Sequence, residues 1–211
     1  MNCSNISEPG CPAALAPPPG LPAGLACPPR VAQLINLDSI SLGCGSDQDV
    51  RQCLEVARAT ARALDMQARI RCAASAWTAA RHLDLLTASG NNQWSVSRRP
   101  GAAGQVLLEE MTDLAAVRLA ATRPGRKRPR RAGHADLLIL VGQGSRYAAP
   151  VRRLRLLGIP TWLLVPGGRV DPALYACSCA VSFLGPGLPD LTASGQLTSR
   201  LSSPLRSGRR A

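Results

Sequence analysis

Residues Ala135–Leu164 read ADLLILVGQGSRYAAPVRRLRLLGIPTWLL, and this stretch decides the fold. Its apolar run Leu137–Val141 predicts a buried strand, which leads into a loop containing two glycines. An amphipathic helix is expected from about Arg146 to Gly158, and a second apolar strand is expected after Pro160. This order indicates a βαβ unit. Its loop lies at the carboxyl end of a strand, where open parallel sheets place their ligand sites.

Strand and helix patterns alternate along the remainder of the chain. The other predicted strands are Val31–Leu37, Ala68–Ala76 and Gln93–Ser97. The other predicted helices are Asp49–Leu64, with Asp47 as its cap, Thr78–Thr87 and Ala102–Ala121, and a short helix and strand lie within Asp171–Leu184. A serine- and glycine-rich loop is expected over Ser39–Ser46. The alternation predicts an α/β fold, a three-layer α/β/α sandwich with a mostly parallel central sheet.

Composition divides the 211 residues into one domain and two tails. Residues 1–30 are rich in proline, and residues 186–211 are basic and rich in proline, glycine and serine, so both are predicted to be disordered. The domain between them, residues 31–185, is long enough to bury a core and carries a basic insert at 123–133. The leader lacks the pattern of a signal peptide, and no apolar run reaches the roughly 18 residues that would span a membrane. No membrane partner is therefore expected.

The formal net charge of +12 predicts an anionic partner, and RNA is the partner that we consider first. Aromatic residues make up only 3% of the chain, so any base-stacking surface must be small, and Trp94 is the residue that we would test for it. A solvated helix face and an arginine-rich genome explain the same charges without a ligand. The candidate nucleic-acid-binding residues are Arg126, Lys127, Arg128, Arg130, Arg131, Arg146, Arg152 and Arg155.

The eight cysteines do not form a recognisable disulfide or metal-binding pattern. Cys53 and Cys72 fall at apolar positions of predicted elements, and Cys177 and Cys179 have no second pair or histidine at zinc spacing. Reduced, mostly buried thiols are typical of a cytoplasmic protein, and this is the location that we expect. No metal site is predicted from these residues.

Three segments that should meet at one end of the sheet resemble motifs of the NYN family, the PIN-like ribonuclease domains. The family's first strand ends in a motif like I-D-G-x-N, its middle helix begins G-x-x-D-x-x-L, and its fourth strand ends in S-G-D-S-D-F. The matching segments here are Ile35–Ser39 (INLDS), Gly101–Leu107 (GAAGQVL) and Gly142–Tyr147 (GQGSRY). The resemblance covers roughly Val31–Leu184. It implies a PIN-like fold and a site at the carboxyl ends of the strands.

The acidic residues of that family are absent at the matching positions. Such nucleases use carboxylates to hold Mg²⁺ or Mn²⁺, which activates water against a phosphodiester. The replaced positions are Asn36, Gly104, Gly144 and Arg146, and Asp38 is the residual catalytic candidate. The resemblance therefore implies a degenerate domain without a cofactor, which binds RNA or another nucleic acid or acts as a regulatory module. Two alternatives stay open: a ribonuclease with weak residual activity, which would use Mg²⁺ or Mn²⁺, and a non-catalytic module that binds a protein partner.

Overall fold

A computed structural model describes residues 14–18, 21, 28–87, 93–99, 101–122 and 134–185 of the chain. The described part contains a single six-stranded sheet, all of whose neighbouring strands run parallel. The strands are β1 (Val31–Asn36), β2 (Arg69–Ser75), β3 (Gln93–Ser97), β4 (Leu137–Val141), β5 (Thr161–Pro166) and β6 (Ala180–Leu184). Their order across the sheet is β3-β2-β1-β4-β5-β6. The order reverses beside β1 and β4, so the loops after these two strands lie together at the carboxyl edge.

Helices cover both faces of this sheet. They are α1 (Leu37–Gly43), α2 (Asp47–Leu64), α3 (Ala76–Arg81), α4 (Leu83–Thr87), α5 (Ala102–Thr122), α6 (Ala148–Leu156) and α7 (Pro172–Cys177). The fold is therefore the three-layer α/β/α sandwich that the sequence predicts. Within the described ranges, no helix combines the length and the apolar character that crossing a membrane requires.

The core consists of two apolar layers, one on each face of the sheet. Successive strand residues point to opposite faces, so Ile139 packs beneath α1 and α2, while Leu138 and Leu140 pack beneath α5 and α6. Strands β4 and β5 are buried along their whole length. Continuous burial of this kind explains why both read as uninterrupted apolar runs in the sequence.

The region after β1 differs from the prediction. The expected loop over Ser39–Ser46 is wrong, because most of it forms helix α1, which begins at Leu37. Asn36 caps this helix, its side-chain oxygen accepting a hydrogen bond from the Ser39 N–H at 3.2 Å. Helix α2 begins two residues earlier than predicted, since Ser46 and not Asp47 is its cap. The predicted helix Thr78–Thr87 is two short helices, α3 and α4, which meet at the buried His82.

A short part of the proline-rich leader contacts the domain. The Leu15 N–H donates to the Thr60 hydroxyl at 3.0 Å, and the side chains of Leu15 and Leu21 pack against the core layer that contains α2. These residues belong to the segment for which we predicted disorder. The rest of the leader, the basic insert at 123–133 and the tail at 186–211 lie outside the described residues.

Two glycines allow α1 to approach the end of β5 closely. A Cβ added to Gly43 would lie 2.8 Å from both the carbonyl carbon and the carbonyl oxygen of Pro166. Gly167 has a φ of +77°, and a Cβ there would lie 2.5 Å from the carbonyl oxygen of Gly43. Both obstructing groups are backbone, which cannot rotate away as a side chain does. The contact therefore requires a residue without a Cβ on each side.

We expect Gly43→Ala to destabilise the domain. Forcing a methyl group against packed backbone costs about 1–3 kcal/mol. For a domain of this size, each kcal/mol lowers the melting temperature by about 2–4 °C. The control is Gly45→Ala, because a Cβ at that exposed position has its nearest neighbour, a carboxylate oxygen of Asp49, at 3.7 Å. Thermal unfolding followed by circular dichroism makes the comparison. Equal melting temperatures for the two variants would contradict this interpretation of the α1–β5 contact.

Candidate functional site

The hydroxyl group of Tyr147 marks the place where the three NYN-like segments meet. The Asn36 amide nitrogen Nδ2, at the end of β1, donates to this hydroxyl at 2.8 Å. A Cβ added to Gly104, in the first turn of α5, would lie 3.2 Å from the same oxygen. Gly144 lies in the loop that leads from β4 to Tyr147, and a Cβ there would have no heavy atom within 4 Å. The structure thus brings Asn36 and Gly104 together around Tyr147 and places Gly144 in the adjoining loop.

The backbone at Gly144 favours glycine. Its φ of +115° and ψ of 144° lie outside the regions that residues with a side chain readily adopt. An acidic residue at this position would therefore be strained unless the loop changed its course. The missing carboxylate belongs to a loop of different conformation and not to a simple exchange of side chains.

Arg146 fills space above the first turn of α5. Its guanidinium nitrogen Nη1 donates to the carbonyl oxygen of Gly101 at 3.2 Å. A Cβ on Gly104 would lie 2.7 Å from the same nitrogen, so the arginine occupies the position that a side chain at residue 104 would need. The site therefore has a cation where the resemblance would place two carboxylates.

Asp38, the residual catalytic candidate, holds α1 against the end of β2. Its Oδ1 accepts one hydrogen bond from the backbone N–H of Ser75 at 2.9 Å and another from the Ser75 hydroxyl at 3.0 Å. Asp38 is the only carboxylate in the three matched segments. Across the described residues, no group of three or more histidine, cysteine or acidic side chains is placed to hold a metal ion. Asp38 by itself supplies too few oxygen ligands for Mg²⁺.

A cavity of about 490 Å³ opens beside Asp38, and we call it the edge cavity. It lies at the carboxyl ends of β1, β2 and β3, and its lining includes Asp38, Ser41, Ser75, Trp77, Arg98 and Gly101. Gly101 also binds Arg146 through its carbonyl oxygen, so the arginine stands at the rim of the same cavity. The sequence analysis missed Trp77 and Arg98 as members of the site.

Trp94 is not the exposed aromatic residue that we expected to test. Its ring is half-buried against the core, and the Arg58 guanidinium lies 5.5 Å from the ring centroid. Trp162 is fully buried, and its indole N–H donates to the Ser182 hydroxyl at 3.0 Å. Trp77, by contrast, is 68% exposed. A base-stacking role therefore suits Trp77 and not Trp94.

Helix α6 presents arginines to solvent and apolar residues to the sheet. Arg152 and Arg155 are exposed, whereas Tyr147, Val151 and Leu154 are buried. This is the division that the helical spacing predicts. The other candidates, Arg126, Lys127, Arg128, Arg130 and Arg131, lie outside the described residues.

We expect Tyr147→Phe to destabilise the domain by about 1–3 kcal/mol, the usual cost of leaving a buried polar group without a partner. The group left behind is the Asn36 amide, which is 7% exposed. Burial raises the pKa of Tyr147, which keeps its hydroxyl neutral as an acceptor for that amide. Chemical denaturation provides the measurement, and Tyr175→Phe, at an exposed tyrosine, is the control. If the two variants unfold at the same denaturant concentration, the Asn36–Tyr147 bond contributes nothing to stability.

Comparison with known proteins gives little further information. No protein-family model matches the chain, and no curated protein matches it. Among solved structures, it is similar to the crystal structure of a protein of unknown function from Vibrio parahaemolyticus. The TM-score is 0.41 and the sequence identity 11%, over 75% of this chain and 94% of the other. A similarity of this size carries no conclusion about function.

Proposed function

We propose that this chain is a catalytically degenerate NYN-like domain that binds single-stranded RNA at the carboxyl edge of its sheet and does not cleave it. The observation that carries the proposal is the position of Arg146. Its guanidinium group lies over Gly104, at the meeting point of the three matched segments. A cation at this point repels divalent metal ions and attracts phosphate, which guanidinium binds through two parallel hydrogen bonds.

Further positive charge lies along the same edge. Arg98 and Arg99 are exposed directly after β3, and Arg98 lines the edge cavity. The arginines of α6 extend the basic surface away from Arg146. An extended polyanion could contact several of these groups at once, and a small anion could not. This favours a nucleic acid strand over a free anion as the partner.

The inventory of carboxylates supports binding over hydrolysis. Asp38 is the single acid of the matched segments, and two hydrogen bonds from Ser75 already engage its Oδ1. Hydrolysis through a metal-activated water needs several oxygen ligands and a free coordination position. The cytoplasm is the proposed setting, because the cysteines do not follow a disulfide pattern.

The test is the binding of a labelled single-stranded RNA by the full chain, followed by fluorescence anisotropy at increasing salt. We expect the logarithm of the association constant to fall linearly with the logarithm of the salt concentration, by about 0.7 for each phosphate neutralised. A peptide nucleic acid of the same base sequence, which has no phosphates, is the control and should not bind. Failure to bind RNA at moderate salt would overturn the proposal and favour a module that binds a protein partner.

A further inference from the structure

The edge cavity has the size and the chemical groups of a small-ligand site. Its volume of about 490 Å³ lies within the range of about 300–1,000 Å³ that is typical of small-molecule pockets. One wall is the Trp77 side chain, and the polar groups at its margin are the Asp38 carboxylate and the Arg98 guanidinium. An aromatic plane, an acceptor and a cation around one cavity form a combination that few ligand classes match.

Trp77 is held in place although it is exposed. The Arg81 guanidinium lies 5.8 Å from the centroid of its ring, and this guanidinium is also fixed by an ion pair with Asp47 at 2.7 Å. The cation restrains the ring from one side, while 68% of the residue remains accessible to solvent. Of the three tryptophans, all of which lie in the described part of the chain, this is the one with a ring available for stacking. Base–aromatic stacking needs a restrained ring of this kind.

Asp38 and Arg98 define what surrounds the stacked ring. The two hydrogen bonds from Ser75 fix the orientation of the Asp38 carboxylate, which is a pure acceptor when ionised. It therefore suits a base with an amino group, as in adenine, cytosine or guanine, and it suits uracil poorly. The exposed Arg98 guanidinium can bind the phosphate attached to such a base.

We propose that the edge cavity binds one amino-bearing nucleobase, stacked on Trp77, with its amino group at Asp38 and its phosphate at Arg98. The base can belong to a free mononucleotide or to a strand of RNA. The second source rests on the proposed function, whereas the first does not.

The experiment measures quenching of tryptophan fluorescence in the full chain by AMP and UMP, and binding of short oligo(A) and oligo(U) RNA by anisotropy. We expect AMP to quench more strongly than UMP. Trp77→Phe should remove most of the quenching, and the control Trp94→Phe should retain it. Trp77→Ala should weaken oligo(A) binding by about 5- to 150-fold, the range measured for the loss of one stacked base. Asp38→Asn, which keeps an acceptor for Ser75, should reduce the preference for oligo(A) over oligo(U).

The two proposals fail in different ways. Oligo(A) binding that Trp77→Ala leaves unchanged would overturn the cavity proposal and leave RNA binding in place. Quenching by AMP without any RNA binding would support the cavity as a mononucleotide site and overturn the proposed function. Absence of both quenching and RNA binding would overturn both. Equal affinity for oligo(A) and oligo(U), unchanged by Asp38→Asn, would overturn the assignment of an amino-bearing base. Melting temperatures of all variants establish that each is folded.

Discussion

Replacing Arg126, Lys127, Arg128, Arg130 and Arg131 with serine is expected to flatten the salt dependence of RNA binding by about 2–3.5 units of log K against log salt. The upper value applies if all five side chains meet phosphate, at about 0.7 for each contact on a single strand. Proline and glycine interrupt this segment and disfavour a helix, so we expect it to clamp the backbone without reading bases. Sequence preference should therefore stay weak before and after the change.

The melting temperature serves as the control for this variant. The folded layers described above are complete without residues 123–133, so the serine variant should melt with the wild type. Salt titrations of RNA binding, measured side by side, give the two slopes. An unchanged slope would identify the insert as a passive linker and would place the phosphate contacts elsewhere on the chain.

Arg146→Glu is expected to weaken RNA binding by at least tenfold. A hydrogen bond to a charged group contributes about 1.5–3 kcal/mol, and about 1.4 kcal/mol corresponds to tenfold in affinity. The reversed charge adds repulsion of phosphate at the same point. Because Arg146 is exposed and its described bond is to the carbonyl oxygen of Gly101, the substitution should leave the fold intact.

The matched control is Arg62→Glu. Arg62 is exposed in the last turn of α2, toward the amino edge of the sheet, so this variant changes the net charge equally at a distance from the site. Equilibrium binding of the same RNA by both variants makes the comparison. If Arg62→Glu weakens binding as much as Arg146→Glu, affinity follows overall charge and the carboxyl edge has no special role.

Much of the fold could be predicted from hydrophobic patterning. The strand β4 begins and ends where its apolar run does, because both of its faces are buried and every residue must be apolar. Helix α1 could not be predicted in this way. Its sequence, LDSISLG, has little apolar periodicity, and it depends on the cap that Asn36 provides and on burial of Leu37 and Ile40. Tertiary packing, which a local pattern does not contain, decides this element.

The candidate site was predictable in outline and not in detail. The rule that parallel strands end at one edge anticipates the meeting of Asn36, Gly104 and Tyr147. It does not reveal that the long Arg146 side chain reaches back over Gly104, since that depends on the path of the loop after β4. Trp77 was missed because tryptophans are usually at least partly buried. A local signal was present, since Trp77 and Arg81 are four residues apart and therefore neighbours on a helix.

The most direct test of non-hydrolytic RNA binding at this edge is to recover the RNA after incubation with purified protein and millimolar Mg²⁺ or Mn²⁺. We predict that the RNA is bound and is recovered at full length, as in a mock preparation, whether or not a chelator is present. Cleavage that the chelator abolishes, and that Asp38→Ala also abolishes, would contradict the account and would show that the single remaining carboxylate sustains a metal-dependent nuclease.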